Sequence, residues 1–130
     1  MKLLLDTHVF LWYITADSQL PSGFRASIED PANEVFLSAA SVWEAVIKQG
    51  INRLPLPGPA AEYRPDQRSR HGIAPLPINE SEFGELAGLP MLHRDPFGRL
   101  IVAQALTYQF TLVTVDAAVL AYGAPHLTAG

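Results

Sequence analysis

MKLLLDTHVFLWYI, residues 1–14, is the stretch that decides the fold. The short apolar run Leu3–Leu5 stops at Asp6, and such a run between polar residues is typical of a strand buried on both faces of a parallel sheet. The broader apolar and aromatic run Val9–Ile14 predicts a helix that packs back onto that sheet. Asp6 is therefore expected at the carboxyl end of the first strand, where open α/β sheets bind their ligands.

Asp6 has two interpretations on this stretch alone. Asp is a favoured N-cap residue, so Asp6 can cap the helix that follows. It can also be a metal ligand, because a carboxylate is rarely left beside a dry core without a partner. The positions of the other acidic residues decide between these interpretations.

The composition predicts a single globular domain over residues 1–130. A hydrophobic content of 48% with 17% charged residues is typical of a globular chain. The sequence contains no cysteine, which excludes disulfides and thiolate metal sites and fits a cytoplasmic location. No apolar segment is long enough to span a bilayer, so no membrane partner is expected. The net charge of −4 argues against broad electrostatic binding of nucleic acid, but a nuclease stays possible because bound metal ions reverse the local charge.

Two further strands are predicted, over 34–38 and 111–115, and Asp116 ends the second as Asp6 ends the first. The proline-rich middle of the chain predicts an irregular insert with a kinked helix over 60–70 and a short edge strand over 74–78. Its basic residues are either a solvated face or an edge that contacts phosphate; they are Arg53, Arg64, Arg68, Arg70 and His71. Further helices are expected over 20–30, 80–89 and 117–122, and a last strand over 126–128.

The segment 38–50 is the clearest helix in the sequence. Its apolar side consists of Val42, Trp43, Val46 and Ile47. Glu44 and Lys48 lie on another side at a spacing of four, which suits an exposed ion pair worth about 0.3 kcal/mol. Because this helix directly follows a strand, Glu44 can instead point at the same sheet edge as Asp6.

The segment His93–Arg99 introduces the last long helix. Asp95 followed by Pro96 is a standard helix opening, in which the acid caps the helix and the proline lies in its first turn. Gly98 is unusual there, because glycine inside a helix costs up to about 1 kcal/mol relative to alanine. Nothing in the local sequence requires its flexibility.

Four acidic residues are thus predicted near one edge of the sheet: Asp6, Glu44, Asp95 and Asp116. Each has a separate explanation as a cap or an ion pair, but their convergence favours a shared site. Clustered carboxylates raise one another's pKa unless a cation joins them, and oxygen ligands without cysteine favour Mg²⁺ or Mn²⁺. Such ions bridge phosphate oxygens and lower the pKa of the attacking water, so hydrolysis of a phosphodiester is the chemistry that fits.

At this point the chain resembles the PIN-domain ribonuclease toxins of the VapC type, which belong to bacterial and archaeal VapBC toxin–antitoxin pairs. Four segments carry the resemblance in this order: LLLDTHVFLW, SAASVWEAVIKQG, HRDPFGRLIVAQA and LVTVDAAVLAYG. It implies an α/β/α sandwich around a mostly parallel sheet, a site for Mg²⁺ or Mn²⁺, and an RNA substrate, commonly tRNA or ribosomal RNA. It also implies a VapB-like antitoxin whose tail inserts into the toxin, a homodimer or a toxin–antitoxin hetero-oligomer, and operator DNA contacted only through the antitoxin.

The resemblance assigns site residues by position: the catalytic acids Asp6, Glu44, Asp95 and Asp116, and the supporting residues Thr7 and Thr114. All of these acids except Asp95 would bind the metal. The family helix usually begins HRDPFD, and its second acid aligns with Gly98. The missing carboxylate predicts an attenuated enzyme, because losing one ligand group can cost a shared site a metal or its correct geometry.

Three functions stay open at this stage. The first is a metal-dependent endoribonuclease, and the second is a degenerate PIN domain that engages antitoxin or RNA without cleavage, as Gly98 favours. The third is a phosphotransfer enzyme with Asp6 as nucleophile, which is disfavoured because His8 stands where such enzymes usually carry a second Asp. The surface around Trp12, Tyr13 and Trp43 is either core or a groove for an antitoxin helix.

Overall fold

A computed structural model describes residues 1–51 and 58–129, except for the side chains of Ala60, Tyr63 and Arg64. The strands in these ranges are β1 (Lys2–Leu5), β2 (Glu34–Ser38), β3 (Ala74–Leu76) and β4 (Thr111–Val113). The helices are α1 (Thr7–Ile14), α2 (Ser22–Glu29), α3 (Ala39–Gly50), α4 (Ala60–Arg70), α5 (Phe83–Gly88), α6 (Pro96–Tyr108) and α7 (Ala117–Leu120). A turn of 3-10 helix, Glu80–Glu82, precedes α5.

The four strands form one parallel sheet in the order β3-β2-β1-β4. In the central strand β1, Leu4 lies opposite Phe36 of β2 and Leu112 of β4. Parallel strands need crossover connections, and the helices supply them. The predicted α/β class with a parallel sheet is confirmed.

The leucines of β1 are fully buried because both faces of the sheet are covered. Side chains alternate between the faces of a strand. Leu3 and Leu5 therefore pack against α1 and α2, through residues such as Phe10 and Phe24. Leu4 packs on the opposite face against α6, through residues such as Ile101. This arrangement is the predicted sandwich, and it places the carboxyl ends of β1, β2 and β4 at one edge.

Two predictions about the strands in the last part of the chain are wrong. His126 forms only an isolated bridge with Leu112, so the predicted last strand is absent from the described residues. The strand predicted to reach Val115 ends at Val113. At the start of α5, Phe83 is 47% exposed, because the neighbouring Glu82 takes the buried position through its capping box.

The proline-rich middle is more regular than predicted. Helix α4 continues through Pro65, and β3 pairs with β2 at the edge of the sheet. Arg53 lies outside the described residues, and the Arg64 side chain is not described. None of the helices in the described parts of the chain combines the length and apolar character needed to cross a bilayer.

Helix α3 turns Glu44 toward the sheet edge, in agreement with the second interpretation given from the sequence, and leaves most of its apolar side exposed. Trp43, Val46 and Ile47 are 51%, 42% and 43% exposed, whereas Ser41 and Glu44 are 0% and 4% exposed. The helix turns polar side chains inward because the sheet edge supplies polar partners for them. Its apolar side is consequently left at the surface.

Candidate active site

A small cavity of about 50 Å³ lies at the carboxyl edge of the sheet. Its lining includes all four predicted acids together with one predicted supporting residue and the altered position: Asp6, Thr7, Glu44, Asp95, Gly98 and Asp116. The remaining predicted residue, Thr114, lies against Asp6. The structure therefore brings together every residue that the sequence assigned to the site.

Asp6 follows β1 and is held by two hydrogen bonds. Its Oδ1 accepts from the backbone N–H of Thr7 at 2.8 Å, which caps α1, and its Oδ2 accepts from Oγ1 of Thr114 at 2.7 Å. Burial raises the pKa of the Asp6 carboxyl, and the charge of Asp116 adds to this, while the hydrogen bonds and His8 oppose it. Asp6 is thus both a helix cap and an acid that faces the cavity.

Thr114 couples the ends of β1 and β4. Besides donating to Asp6, its hydroxyl accepts from the backbone N–H of Asp116 at 3.0 Å. Asp116 Oδ1 in turn accepts from the N–H of Ala118 at 2.9 Å and caps α7. Asp116 Oδ2 faces the imidazole of His93, with 3.4 Å to Nε2.

Glu44 is buried beneath the cavity and both of its oxygens have partners. Oε1 accepts from Oγ1 of Thr7 at 2.8 Å, and this hydroxyl also lies 2.9 Å from Oγ of Ser41. Oε2 pairs with Nζ of Lys48, one helical turn further along. The ion pair predicted from the spacing of four is present, but its carboxylate is buried and belongs to the site.

Asp95 caps α6, as its position before Pro96 predicted. Its Oδ1 accepts from the N–H of Phe97 at 2.9 Å, and its own N–H donates to Nδ1 of His93 at 3.2 Å. Asp95 therefore contributes a carboxylate to the lining and also fixes the neighbouring imidazole.

Several polar residues at the site were not assigned to it from the sequence, and His8 and Lys48, which also line the cavity, are among them. Ser41 could have been found from its position three residues before Glu44 on one helix. His93 could have been found only as a polar neighbour of Asp95. Two basic residues of α4 have partners away from the cavity: Arg68 donates to the carbonyl of Ile73, and Arg70 pairs with Asp66.

The acidic lining of the cavity meets the requirements of a divalent cation only in part. Carboxylate oxygens fit Mg²⁺ or Mn²⁺ in kind. The arrangement falls short in number, because in residues 1–51 and 58–129 no three acidic or histidine side chains are grouped so that they could hold a metal ion. Gly98, which lines the cavity without a side chain, is where the family pattern has a further acid.

Comparison with known proteins identifies the family. The family profile described as "PIN domain" matches residues 3–124. This chain belongs to the PIN domain family. Ribonuclease VapC16 of Mycobacterium tuberculosis (strain ATCC 25618 / H37Rv) is 42% identical over 57 residues, which are 44% of this PIN domain chain. The match spans only 40% of the length of that relative.

Solved structures share the fold of this PIN domain. VapBC-1 from nontypeable Haemophilus influenzae superposes with a TM-score of 0.68 at 16% identity, covering 99% of this chain and 98% of that one. A toxin-antitoxin complex from Klebsiella pneumoniae gives a TM-score of 0.64 at 15% identity, covering 98% of each chain. At these identities the likeness shows the fold.

Proposed function

We propose that this PIN domain is the toxin of a type II toxin–antitoxin pair and a cytoplasmic endoribonuclease that hydrolyses RNA phosphodiester bonds with Mg²⁺ or Mn²⁺. The observation that carries the proposal is the convergence of Asp6, Glu44, Asp95 and Asp116 on one cavity. The likeness to Ribonuclease VapC16 supports RNA as the substrate. Both tRNA and ribosomal RNA are candidate targets.

The acids proposed to hold the cation are Asp6, Glu44 and Asp116, with Asp95 assisting from the opening of α6; because they do not form a group of three in the described residues, the site would have to rearrange to bind it. When bound, the cation supplies an activated water and neutralises phosphate oxygens. Asp6 is oriented for this role by its two hydrogen bonds. Oε2 of Glu44 is blocked by its ion pair with Lys48. This oxygen becomes available to a cation only when the Lys48 side chain, which is 40% exposed, turns away.

Gly98 supports an attenuated activity. The position lines the cavity but contributes no oxygen, and the remaining acids do not form a group of three within the described residues. The same observation favours a second candidate function: a PIN domain without catalytic activity that engages antitoxin or RNA but does not cut.

Cleavage of total RNA tests the choice between these functions. We expect weak cleavage with Mn²⁺ or Mg²⁺, none with EDTA, and faster cleavage by Gly98→Asp, because that substitution restores an oxygen ligand. Asp116→Asn should abolish cleavage. Asp66→Asn is the matched control, since it removes a carboxylate from the surface of α4, where Asp66 pairs with Arg70.

Two results would contradict the ribonuclease. Cleavage by Asp116→Asn at the rate of the unsubstituted chain would contradict the assignment of the active site. If no variant cleaves RNA, including Gly98→Asp, the second candidate function, binding of antitoxin or RNA without cleavage, replaces the ribonuclease function.

The proposed partner is a VapB-like antitoxin, which would dock on the apolar side of α3. That side borders a groove of about 520 Å³ whose lining includes Val42, Trp43, Val46 and Pro75. Of the aromatic residues considered from the sequence, Trp12 and Tyr13 pack against the core, whereas Trp43 is 51% exposed. An amphipathic helix would cover this apolar surface.

Co-purification with the product of the neighbouring reading frame tests the partner. Trp43→Ala should weaken the complex at least tenfold, as truncation of a large aromatic anchor typically does, while Met91→Ala, another exposed apolar residue, should not. Light scattering then distinguishes a homodimer from a toxin–antitoxin hetero-oligomer. Operator DNA should bind the complex but not this chain alone. A complex that tolerates both substitutions equally would exclude the α3 groove.

A further inference from the structure

Gly98 leaves room for an imidazole in the cavity. A Cβ atom at this position would lie 3.1 Å from Cδ2 and 3.2 Å from Nε2 of His93, and 3.6 Å from Cγ2 of Val119. The first two distances are shorter than ordinary carbon contacts, so a side chain at position 98 would require the ring to shift by a few tenths of an ångström. The His93 ring therefore packs directly against the position of a side chain at 98.

His93 is held by contacts of both its backbone and its ring. Its backbone N–H donates to the hydroxyl of Tyr122 at 3.0 Å. Its Nδ1 accepts from the N–H of Asp95 at 3.2 Å. A neutral imidazole carries one proton, so a ring whose Nδ1 accepts carries that proton on Nε2. The Nε2–H faces Oδ2 of Asp116 at 3.4 Å.

This arrangement uses the part of Asp116 that a cation would need. Oδ1 of Asp116 caps α7, which leaves Oδ2 as the oxygen without a backbone partner. A metal ion binds imidazole only through a deprotonated nitrogen, so in this tautomer Nε2 is not a ligand, and Nδ1 already accepts from the N–H of Asp95. Its N–H instead contacts the oxygen that would bind the ion.

We infer that the His93 imidazole, which Gly98 admits to the cavity, competes with a divalent cation for Asp116 and so lowers the cation affinity of this chain. The inference rests on the proposed function in taking the cation to be Mg²⁺ or Mn²⁺. It makes His93 a residue that sets metal affinity without binding metal. It also makes positions 93 and 98 interdependent.

Binding of Mn²⁺ to the full chain after removal of metals with EDTA tests the inference, measured by calorimetry and by loss of the free Mn²⁺ resonance signal. His93→Ala should bind Mn²⁺ about threefold to tenfold more tightly, the gain expected from releasing one hydrogen bond to the Asp116 carboxylate. His71→Ala is the matched control, because that exposed imidazole contacts Gln67 and Tyr13 outside the cavity, and it should change nothing. Weaker or unchanged binding by His93→Ala would overturn the inference.

A second substitution tests the interdependence. Gly98→Asp places a side chain against the ring, so the ring should shift and the contact of His93 with Asp116, which is 3.4 Å long, should weaken in that variant. The gain from His93→Ala should then shrink to less than about twofold in the Gly98→Asp background. Equal gains in both backgrounds would show that the two positions act separately and would contradict the inference.

The tautomer provides a check that needs no substitution. Nitrogen-15 spectra of the unsubstituted chain at about pH 8, where an ordinary imidazole is neutral, should show His93 protonated on Nε2. Protonation on Nδ1 would overturn the inference even if the variants fail to fold. None of these measurements uses RNA cleavage: tighter Mn²⁺ binding by His93→Ala in a chain that never cuts RNA would support the inference and contradict the ribonuclease.

Discussion

Thr114→Val is the most informative substitution outside the acids themselves. Thr114 is 2% exposed, and its hydroxyl both donates to Oδ2 of Asp6 at 2.7 Å and accepts from the N–H of Asp116 at 3.0 Å. Valine has nearly the same shape but no hydroxyl. The substitution therefore removes two hydrogen bonds at the site while leaving the packing almost unchanged.

The loss of stability follows from these two bonds. A hydrogen bond to a charged group contributes about 1.5–3 kcal/mol, and an unpaired buried N–H costs about 1 kcal/mol. Thr114→Val should thus lower the free energy of unfolding by about 3 kcal/mol. Thr114→Ser keeps the hydroxyl and loses one buried methyl group, which costs about 1 kcal/mol. The pKa of Asp6 should also rise further in Thr114→Val, because the Thr114 hydrogen bond is the largest influence that lowers it.

Urea unfolding in EDTA, followed by tryptophan fluorescence, measures both variants under the same conditions. The valine variant should lose clearly more unfolding free energy than the serine variant. If the two variants lose the same amount, the hydroxyl contributes nothing and the coupling of β1 to β4 through Thr114 is refuted.

Three further predictions concern single side chains. Burial raises the pKa of Asp6, so protonated Asp6 favours the folded state, and this contribution to stability is lost as pH rises through the raised pKa. Asp6→Asn should therefore stabilise the cation-free protein at neutral pH and stabilise it less in acid. Urea unfolding that shows destabilisation at neutral pH would contradict this. Asp95→Ala should cost about 1 kcal/mol of unfolding free energy through loss of the α6 cap, whereas Asp95→Asn should cost less than half as much. Glu82→Gln should raise the unfolding free energy by about 1 kcal/mol in thermal or urea unfolding. Oε2 of Glu82 and Oε1 of Gln104 are buried acceptors without a donor in the described structure, and an amide at position 82 supplies a donor N–H. A loss of stability would exclude the pairing of this amide with Gln104.

The acids that follow strands could be predicted from sequence because the signal is local. An apolar run that ends in Asp places the carboxylate at the end of a buried strand, as for Asp6, and a parallel sheet brings such ends to one edge. The caps at Asp95 and Asp116 were also local, since each acid precedes a helix directly. Glu44 was found only as one of two interpretations, because its spacing from Lys48 suits an exposed pair equally well.

The orientation of α3 could not be predicted from its own pattern. Its apolar residues would normally face the core, and the structure instead buries Ser41 and Glu44. Thr7, the residue that reverses the preference, is separated from Glu44 by 37 positions in the chain. A hydrogen-bonded partner on another element outweighed the hydrophobic pattern.

The sequence by itself determined the order and type of most elements, the parallel α/β class and the set of acids at the carboxyl edge, because each depends on a strand or helix signal within a few neighbouring residues. Only the tertiary structure decided which oxygens have partners and which side chain lies beside Gly98. Those outcomes depend on distances between β1, α3, α6 and α7, where Lys48 neutralises Glu44 and the ring of His93 faces Asp116. Such contacts join residues far apart in the chain, and no local pattern encodes them.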